Sequence, residues 1–337
     1  MRPGASRSGQ ATVITRRTVL LYLPLGSCLG PIALAGTKPK VIGILNPYFP
    51  ANVKASLDRF DLEMRQLGYV KGTDYVIVER MAEGHNEQLR SLVEELVRQR
   101  VDLIFATPTN AVAEAQRATS SIPIIFLSVA DPVGSGFATS LARPGHNLTG
   151  VTNFAGDLQG KRLELLKQTI PGLKRIAILV TAKSPNYSTF LPQLQEDAKV
   201  LGLTTTIVEA QLPLDLEAAF KAIVASKSQA IYVWGDPYLW TAAKQVADLS
   251  LRARLPTIFL FVEHVEAGGL MSYGADTQDW MRQSAAFADK IFRGAKPGDL
   301  PIEQPMKFDL AINRKTADAL ELKIPQAIWL QATRVIE

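Results

Sequence analysis

The sequence predicts an α/β protein with two Rossmann-like lobes, each built on a parallel sheet, joined by a multi-strand hinge. Three observations predict it. Short apolar runs alternate with longer stretches of helical periodicity from Lys40 onward, the same plan restarts near Ile176, and strand-like segments recur after the second round is complete. Strands separated by helix-length crossovers form right-handed βαβ units, which set the strands parallel.

In the first round, residues 41–45 form a continuous apolar run ended by Asn46-Pro47, as a buried strand requires. A helix is expected over 53–67, with Leu57, Phe60, Met64 and Leu67 on one face and Gly68 in the position of a C-terminal cap. Strands follow at 75–79, 101–106 and 122–128, with helices at 86–98 and 110–119 between them. The second round predicts strands at 176–180, 204–208, 230–234 and 257–261 and helices at 191–201, 216–225 and 240–252. The two units show no obvious sequence repetition. A strand at 270–273, a helix at 277–292, a strand at 306–312 and a short helix at 315–320 come last. A chain that returns to the first lobe and crosses back gives 37–152 plus 265–300 as lobe 1 and 153–264 plus 301–337 as lobe 2. Such a hinge permits closure around a ligand.

Residues 1–35 are of another kind. They hold Arg2, Arg7, Arg16 and Arg17, no acidic residue, an apolar run from Val19 to Leu34, and Ala33-Leu34-Ala35 at the end. That pattern reads as a secretory signal cleaved after Ala35. Pro24, Gly26, Gly30 and Pro31 make the run a poor spanning helix. The pair Arg16-Arg17 fits either a twin-arginine signal or an ordinary basic start. Leu25-Gly26-Ser27-Cys28 resembles a lipoprotein box, but apolar residues follow Cys28, so cleavage after Ala35 is preferred to lipid anchoring. The expected location is the periplasm.

The whole chain of 337 residues is 47% hydrophobic and 20% charged, with a formal net charge of +5. Without the four arginines of the signal, 33 basic residues face 32 acidic ones, so no nucleic-acid partner follows from charge. Cys28 is the single cysteine, which excludes thiol catalysis, disulfides and cysteine metal sites from the mature chain.

Several segments in this order resemble the ABC transporter substrate-binding family of type I periplasmic binding proteins, the one with tryptophan- and tyrosine-binding members. They are Val41-Ile42-Gly43-Ile44-Leu45, the run from Val101 to Pro108, Ile122 to Phe126, Asp131-Pro132-Val133-Gly134-Ser135-Gly136, the run from Arg143 to Val151, Leu163 to Lys167 and Lys174 to Ala177. The resemblance spans about the whole mature chain. It implies a type I periplasmic binding protein fold, no catalysis, and an ABC permease of the inner membrane as partner. Near the ligand the chain departs from the family pattern, with Trp234-Gly235-Asp236-Pro237 after one strand and Val262-Glu263-His264 after Phe261.

Loops at the carboxyl ends of parallel strands face the crevice where ligands bind. That rule selects Asn46 and Tyr48, Thr107 and Thr109, Ser128 and Asp131, Asn153 and Phe154, Tyr187, Trp234 and Asp236, and Tyr273 and Asp276 as ligand-binding candidates. Thr107 and Thr109 precede a helix, where hydroxyls and free N–H groups hold a carboxylate or simply cap the helix. Asp131, Asp236 and Asp276 suit a ligand ammonium, and suit tight turns equally. The aromatic residues suit a cleft wall or domain-edge packing, and the two asparagines a polar contact or a turn.

Enzyme signatures are missing. There is no Gly-x-Ser-x-Gly elbow, Walker loop or His-Glu-x-x-His, and Gly134-Ser135-Gly136 does not follow the first strand. His85, His146 and His264 are far apart in sequence, with His264 beside Glu263 and Glu266 the least remote metal candidate. No cofactor, metal or catalytic residue is expected. The sequence therefore predicts a monomeric solute-binding protein of an ABC importer, capturing an amino acid or related organic acid by hinge closure. A ligand-presenting receptor subunit and, further off, an exported α/β enzyme are the alternatives.

Overall fold

The computed structural model describes residues 38–153, 158–181, 187–212 and 215–337; the signal segment with Cys28, and Phe154, lie outside them. The first round comprises β1 (Lys40–Asn46), α1 (Pro50–Gln66), β2 (Tyr75–Met81), α2 (Leu89–Arg98), β3 (Leu103–Ala106), α3 (Thr109–Ala118), β4 (Ile124–Val129) and β5 (Leu148–Thr152). The second comprises α4 (Gln159–Thr169), β6 (Arg175–Thr181), α5 (Tyr187–Val200), β7 (Thr204–Ala210), α6 (Leu216–Ala225), β8 (Ala230–Val233), α7 (Pro237–Thr241), α8 (Ala243–Arg252), β9 (Thr257–Phe259), α9 (Val262–Glu266) and β10 (Met271–Ala275). The chain ends with α10 (Thr277–Phe292), β11 (Phe308–Asn313), α11 (Arg314–Ala319), α12 (Gln326–Gln331) and β12 (Arg334–Ile336).

The first sheet has the order β2-β1-β3-β4-β5 and is wholly parallel. The second has the order β12-β11-β10-β9-β8-β6-β7, parallel except where β11 runs antiparallel to β10. Its segment from β7 to β10 repeats the connectivity of the first sheet, so the two units share one doubly wound plan of five strands. The central strands are buried on both faces, which explains their continuous apolar runs, while the edge strands β2, β7 and β12 are partly exposed. In the first lobe Ile42, Leu103 and Ile125 pack with Phe60 and Met64 of α1, while Leu45, Ile104 and Phe126 pack with Val93 and Leu96 of α2.

The helix after the fifth strand of each unit completes the opposite lobe. α4, which follows β5, packs on α5, β9 and β10; α10, which follows β10, packs on α1, β4 and β5. The segment 265–300, expected in the first lobe, is thereby divided: β10 pairs with β9 and β11 in the second sheet, and α10 alone joins the first. Glu303 still belongs with the first sheet, its N–H donating to the Gly150 carbonyl at 2.9 Å and its carbonyl accepting from Thr152 N–H at 3.1 Å. The chain thus passes between lobes three times, before α4, before α10 and before β11, which is the multi-strand hinge.

Other differences are local. The helix expected over 240–252 is two, α7 and α8, because Asp236 starts a separate turn by accepting from Leu239 N–H. The short helix α9 occupies 262–266, where a crossing was expected.

Gly274 shows how tightly β10 sits against the end of β9. A Cβ at that position would lie 2.0 Å from the Leu260 carbonyl oxygen. The substitution Gly274→Ala forces backbone apart and is expected to cost about 1–3 kcal/mol. Urea denaturation reads this as a lower midpoint with an unchanged slope.

Candidate functional site

The carboxyl ends of both sheets open onto one cleft. β1 delivers Asn46 and Tyr48, β3 delivers Thr107 and Thr109, β4 ends at Ser128, and β5 leads to Asn153. From the second lobe, β8 delivers Trp234 and Asp236, and β9 leads to Leu260 and Phe261. These residues line two adjoining cavities of about 50 and 110 Å³, which share Tyr48, Ser128, Trp240 and Phe261 as their common wall.

The smaller cavity is the more polar of the two. Asp236 is buried at its edge, its Oδ1 accepting from Leu239 N–H at 2.8 Å and its Oδ2 from the Thr181 hydroxyl at 3.1 Å. Arg162 of α4 is 3% exposed; its Nε donates to the Tyr232 hydroxyl at 2.8 Å and a terminal nitrogen donates to the Tyr273 carbonyl at 3.2 Å. Neighbouring Gln159 is equally buried, and its Oε1 has no hydrogen-bond partner among the described residues. On the facing side Ser128 sits at φ 59°, in the left-handed region that serine seldom occupies. The Asn153 amide holds it there, donating to the Ser128 carbonyl at 3.1 Å and to its hydroxyl at 3.2 Å. Such strain, fixed by a buried neighbour, clusters at ligand sites.

The larger cavity is apolar. Phe60 and Leu57 of α1, Phe105, Phe261, and Trp280 and Met281 of α10 form its walls. Polar groups are few. Asn46 is taken up locally, its Oδ1 accepting from Tyr48 N–H at 2.9 Å. Glu263 accepts the Thr277 hydroxyl on Oε1 at 2.9 Å, while its Oε2 and the Trp280 Nε1 are both buried without a partner among the described residues. Burial pushes the Glu263 carboxyl above the ordinary carboxylate range.

The lobes meet across these cavities. The Tyr48 ring lies 5.7 Å from the Trp240 ring, and Tyr238 of α7 meets the Asn86 side chain of the first lobe. Burial, with Asp236 and Glu263 nearby, pushes the Tyr48 phenol far above its usual value. His264 is buried behind Trp240, its ring 4.9 Å from that ring and stacked on Phe259 at 4.9 Å, with Nδ1 unpartnered among the described residues. Burial holds its imidazole down at about 4, so it is neutral at pH 7. No cluster of three or more metal-ligating side chains occurs among the described residues.

Eight of the predicted residues line the cavities: Asn46, Tyr48, Thr107, Thr109, Ser128, Asn153, Trp234 and Asp236. Four do not. Asp131 accepts from Gly134 N–H at 2.7 Å and serves its turn. Tyr187 packs edge-on against Trp234 and Tyr273 against Phe308, so both support the wall from behind. Asp276 lies in the link between β10 and α10, its N–H donating to the Lys307 carbonyl at 3.2 Å. Sequence reasoning missed Gln159, Arg162, Trp240, Trp280 and the lining role of Glu263 and His264. A signal existed for Arg162, which shares a helical face with Leu165, Leu166 and Thr169 and so puts a cation on an apolar stripe.

The sequence model of a family described as ABC transporter substrate binding protein matches residues 58–336. The chain is 25% identical over 286 residues to a tyrosine-binding protein of Clostridioides difficile strain R20291, covering 85% of this chain and 82% of that one. It overlays on a conserved domain protein from Vibrio cholerae O1 biovar eltor with TM-score 0.82 and 25% identity, over 88% of this chain and 100% of that one. It overlays on an ABC domain from Streptococcus pneumonia in complex with L-Trp with TM-score 0.80 and 25% identity, over the same shares of 88% and 100%.

The neutral, buried His264 makes stability depend on acid. Its folded value of about 4 lies below the unfolded value of 6.5, so the unfolded chain binds the extra proton between them, and stability falls as pH drops through that window. At pH 4.5 the loss relative to pH 7 is roughly 2–3 kcal/mol. Urea unfolding of wild type and His264→Phe at both pH values reads it as the difference between their acid slopes, which isolates His264 from other titrating groups.

Proposed function

The chain belongs to the ABC transporter substrate binding protein family, and from that premise we propose that it captures a zwitterionic amino acid with an apolar, ring-bearing side chain outside the cytoplasm and delivers it to an ABC permease for import. A family of substrate-binding proteins agrees with the expectation of a binder rather than an enzyme. The observation that carries the reading is the pairing of two cavities, one polar and one apolar, on either side of a common wall between closable lobes.

The polar cavity has groups for both ends of a zwitterion. Arg162 with the hydroxyls of Ser128 and Thr109 suits a carboxylate, and Asp236 with the Gln159 carbonyl suits an ammonium. The apolar cavity of about 110 Å³ is walled by aromatic and aliphatic side chains, which suits a ring. Burying a ring of about 150 Å² contributes roughly 4 kcal/mol, and each charge-assisted hydrogen bond about 1.5–3 kcal/mol. After ordering costs these sums fit micromolar binding. The relatives point the same way: one is a tyrosine-binding protein and another holds L-Trp. An export signal in residues 1–35 would place the site where such a solute is met.

Titration calorimetry with L-tyrosine and L-tryptophan is expected to give micromolar or tighter binding, and each ligand to raise the melting temperature. Arg162→Met is expected to weaken both at least tenfold. If no amino acid binds at millimolar concentration, the proposal fails.

A further inference from the structure

Strand β4 carries one residue more than its partner β5. Ile124 and Phe126 pair with Leu148 and Gly150, but the next pair is Val129 with Thr152, so the register slips between Phe126 and Val129. The core shows which residue is the extra one. Ile125 and Leu127 pack on the α1 side of the sheet, Ile124 and Phe126 on the α2 side. Strict alternation would put residue 128 on the α2 side and residue 129 on the α1 side. Val129 packs instead with Ile124 and Phe126, in the place residue 128 would have taken. Ser128 is left over, half-buried at φ 59°, on the wall that both cavities share. A bulge of this kind re-aims a side chain.

We propose that this bulge stands the Ser128 hydroxyl in the cleft as a donor to the ligand's carboxylate, and that Asn153 is the positioning residue that holds it there. The Asn153 amide donates to the Ser128 carbonyl at 3.1 Å and to its hydroxyl oxygen at 3.2 Å. The first bond pins the left-handed backbone. The second sets the polarity of the hydroxyl: with one lone pair taken by Asn153, its proton is directed to another partner. A carboxylate accepts that proton and an ammonium cannot. Asn153 is itself held across the bulge, 6% exposed, its backbone N–H donating to the Val129 carbonyl at 3.2 Å. Glycine adopts the same backbone with less strain. A serine at this place therefore costs stability and serves the cleft.

The assignment rests on the amino-acid reading of the cleft. L-Tyrosine and L-tryptophan are titrated against wild type, Ser128→Ala, Ser128→Gly, Asn153→Ala and the double variant of Ser128→Gly with Asn153→Ala, and each protein is melted without ligand. Ser128→Ala and Ser128→Gly are each expected to weaken both ligands at least tenfold, since a charge-assisted hydrogen bond is lost. Ser128→Gly is expected to melt a few degrees above wild type and above Ser128→Ala, so its weaker binding does not come from poorer folding. Asn153→Ala should weaken binding comparably on its own, but by less than about threefold when added to Ser128→Gly, because it acts through the serine. Losses that add across the pair would make Asn153 an independent contact and overturn its role. Wild-type affinity in Ser128→Gly, or a melting temperature below that of wild type, would overturn the role of the bulge. If wild type binds neither amino acid, the reading of the cleft falls and this assignment with it; any of the other failures, with wild-type binding intact, removes this assignment alone.

Discussion

A parallel sheet can be built only with crossovers, and this requirement shapes the whole molecule. Every strand must return over the face of its sheet before the next begins, so all carboxyl ends open on one edge. Two such edges facing each other make a cleft lined by turns rather than by regular structure. The exchange of α4 and α10 adds a second constraint. Each sheet is covered partly by a helix encoded next to the other unit, so neither lobe is complete without chain from both rounds. Relative motion is then confined to the three crossings, which lie side by side near Gly150, Asp276 and Glu303.

That exchange decides which groups move together. Trp280 and Thr277 travel with the first lobe because α10 packs on α1, although they follow the second unit in sequence. Glu263, Trp240 and Phe261 travel with the second. The apolar cavity therefore has its floor on one lobe and its lid on the other, and the Thr277–Glu263 hydrogen bond spans the two. The polar cavity is divided likewise, with Ser128 and Asn153 facing Arg162 and Asp236. Opening the hinge would dismantle both.

The fold was legible because its signals are local and redundant. Continuous runs such as 41–45 and 176–180 mark strands buried on both faces, and helix-length spacers then leave few topologies open. Sheet membership of β10 was harder, since a strand in sequence does not announce its partner. For the site, the strand-end rule found residues delivered by strands, including Ser128 and Asp236, whose turn chemistry and cavity-lining position coincide. Asp131 and Asp276 fall outside the cavity lining, and Asp131 serves its turn, a role that favours the same residue type as ligand binding does. It could not find Gln159, Arg162 or Trp280, which reach the cleft from helices. Only the burial of a polar group on an apolar helical face betrays them, and that becomes decisive once the packing is known.

Several buried polar groups carry a cost that the fold itself leaves open. Gln159 Oε1, His264 Nδ1, Glu263 Oε2 and Trp280 Nε1 are cut off from water with no partner among the described residues. At about 1–3 kcal/mol each, their combined penalty is of the order needed to reverse a two-state equilibrium, roughly 5.5 kcal/mol for a shift from 1:99 to 99:1. A solute that completed two or three of them would favour, by that margin, whichever arrangement buries them.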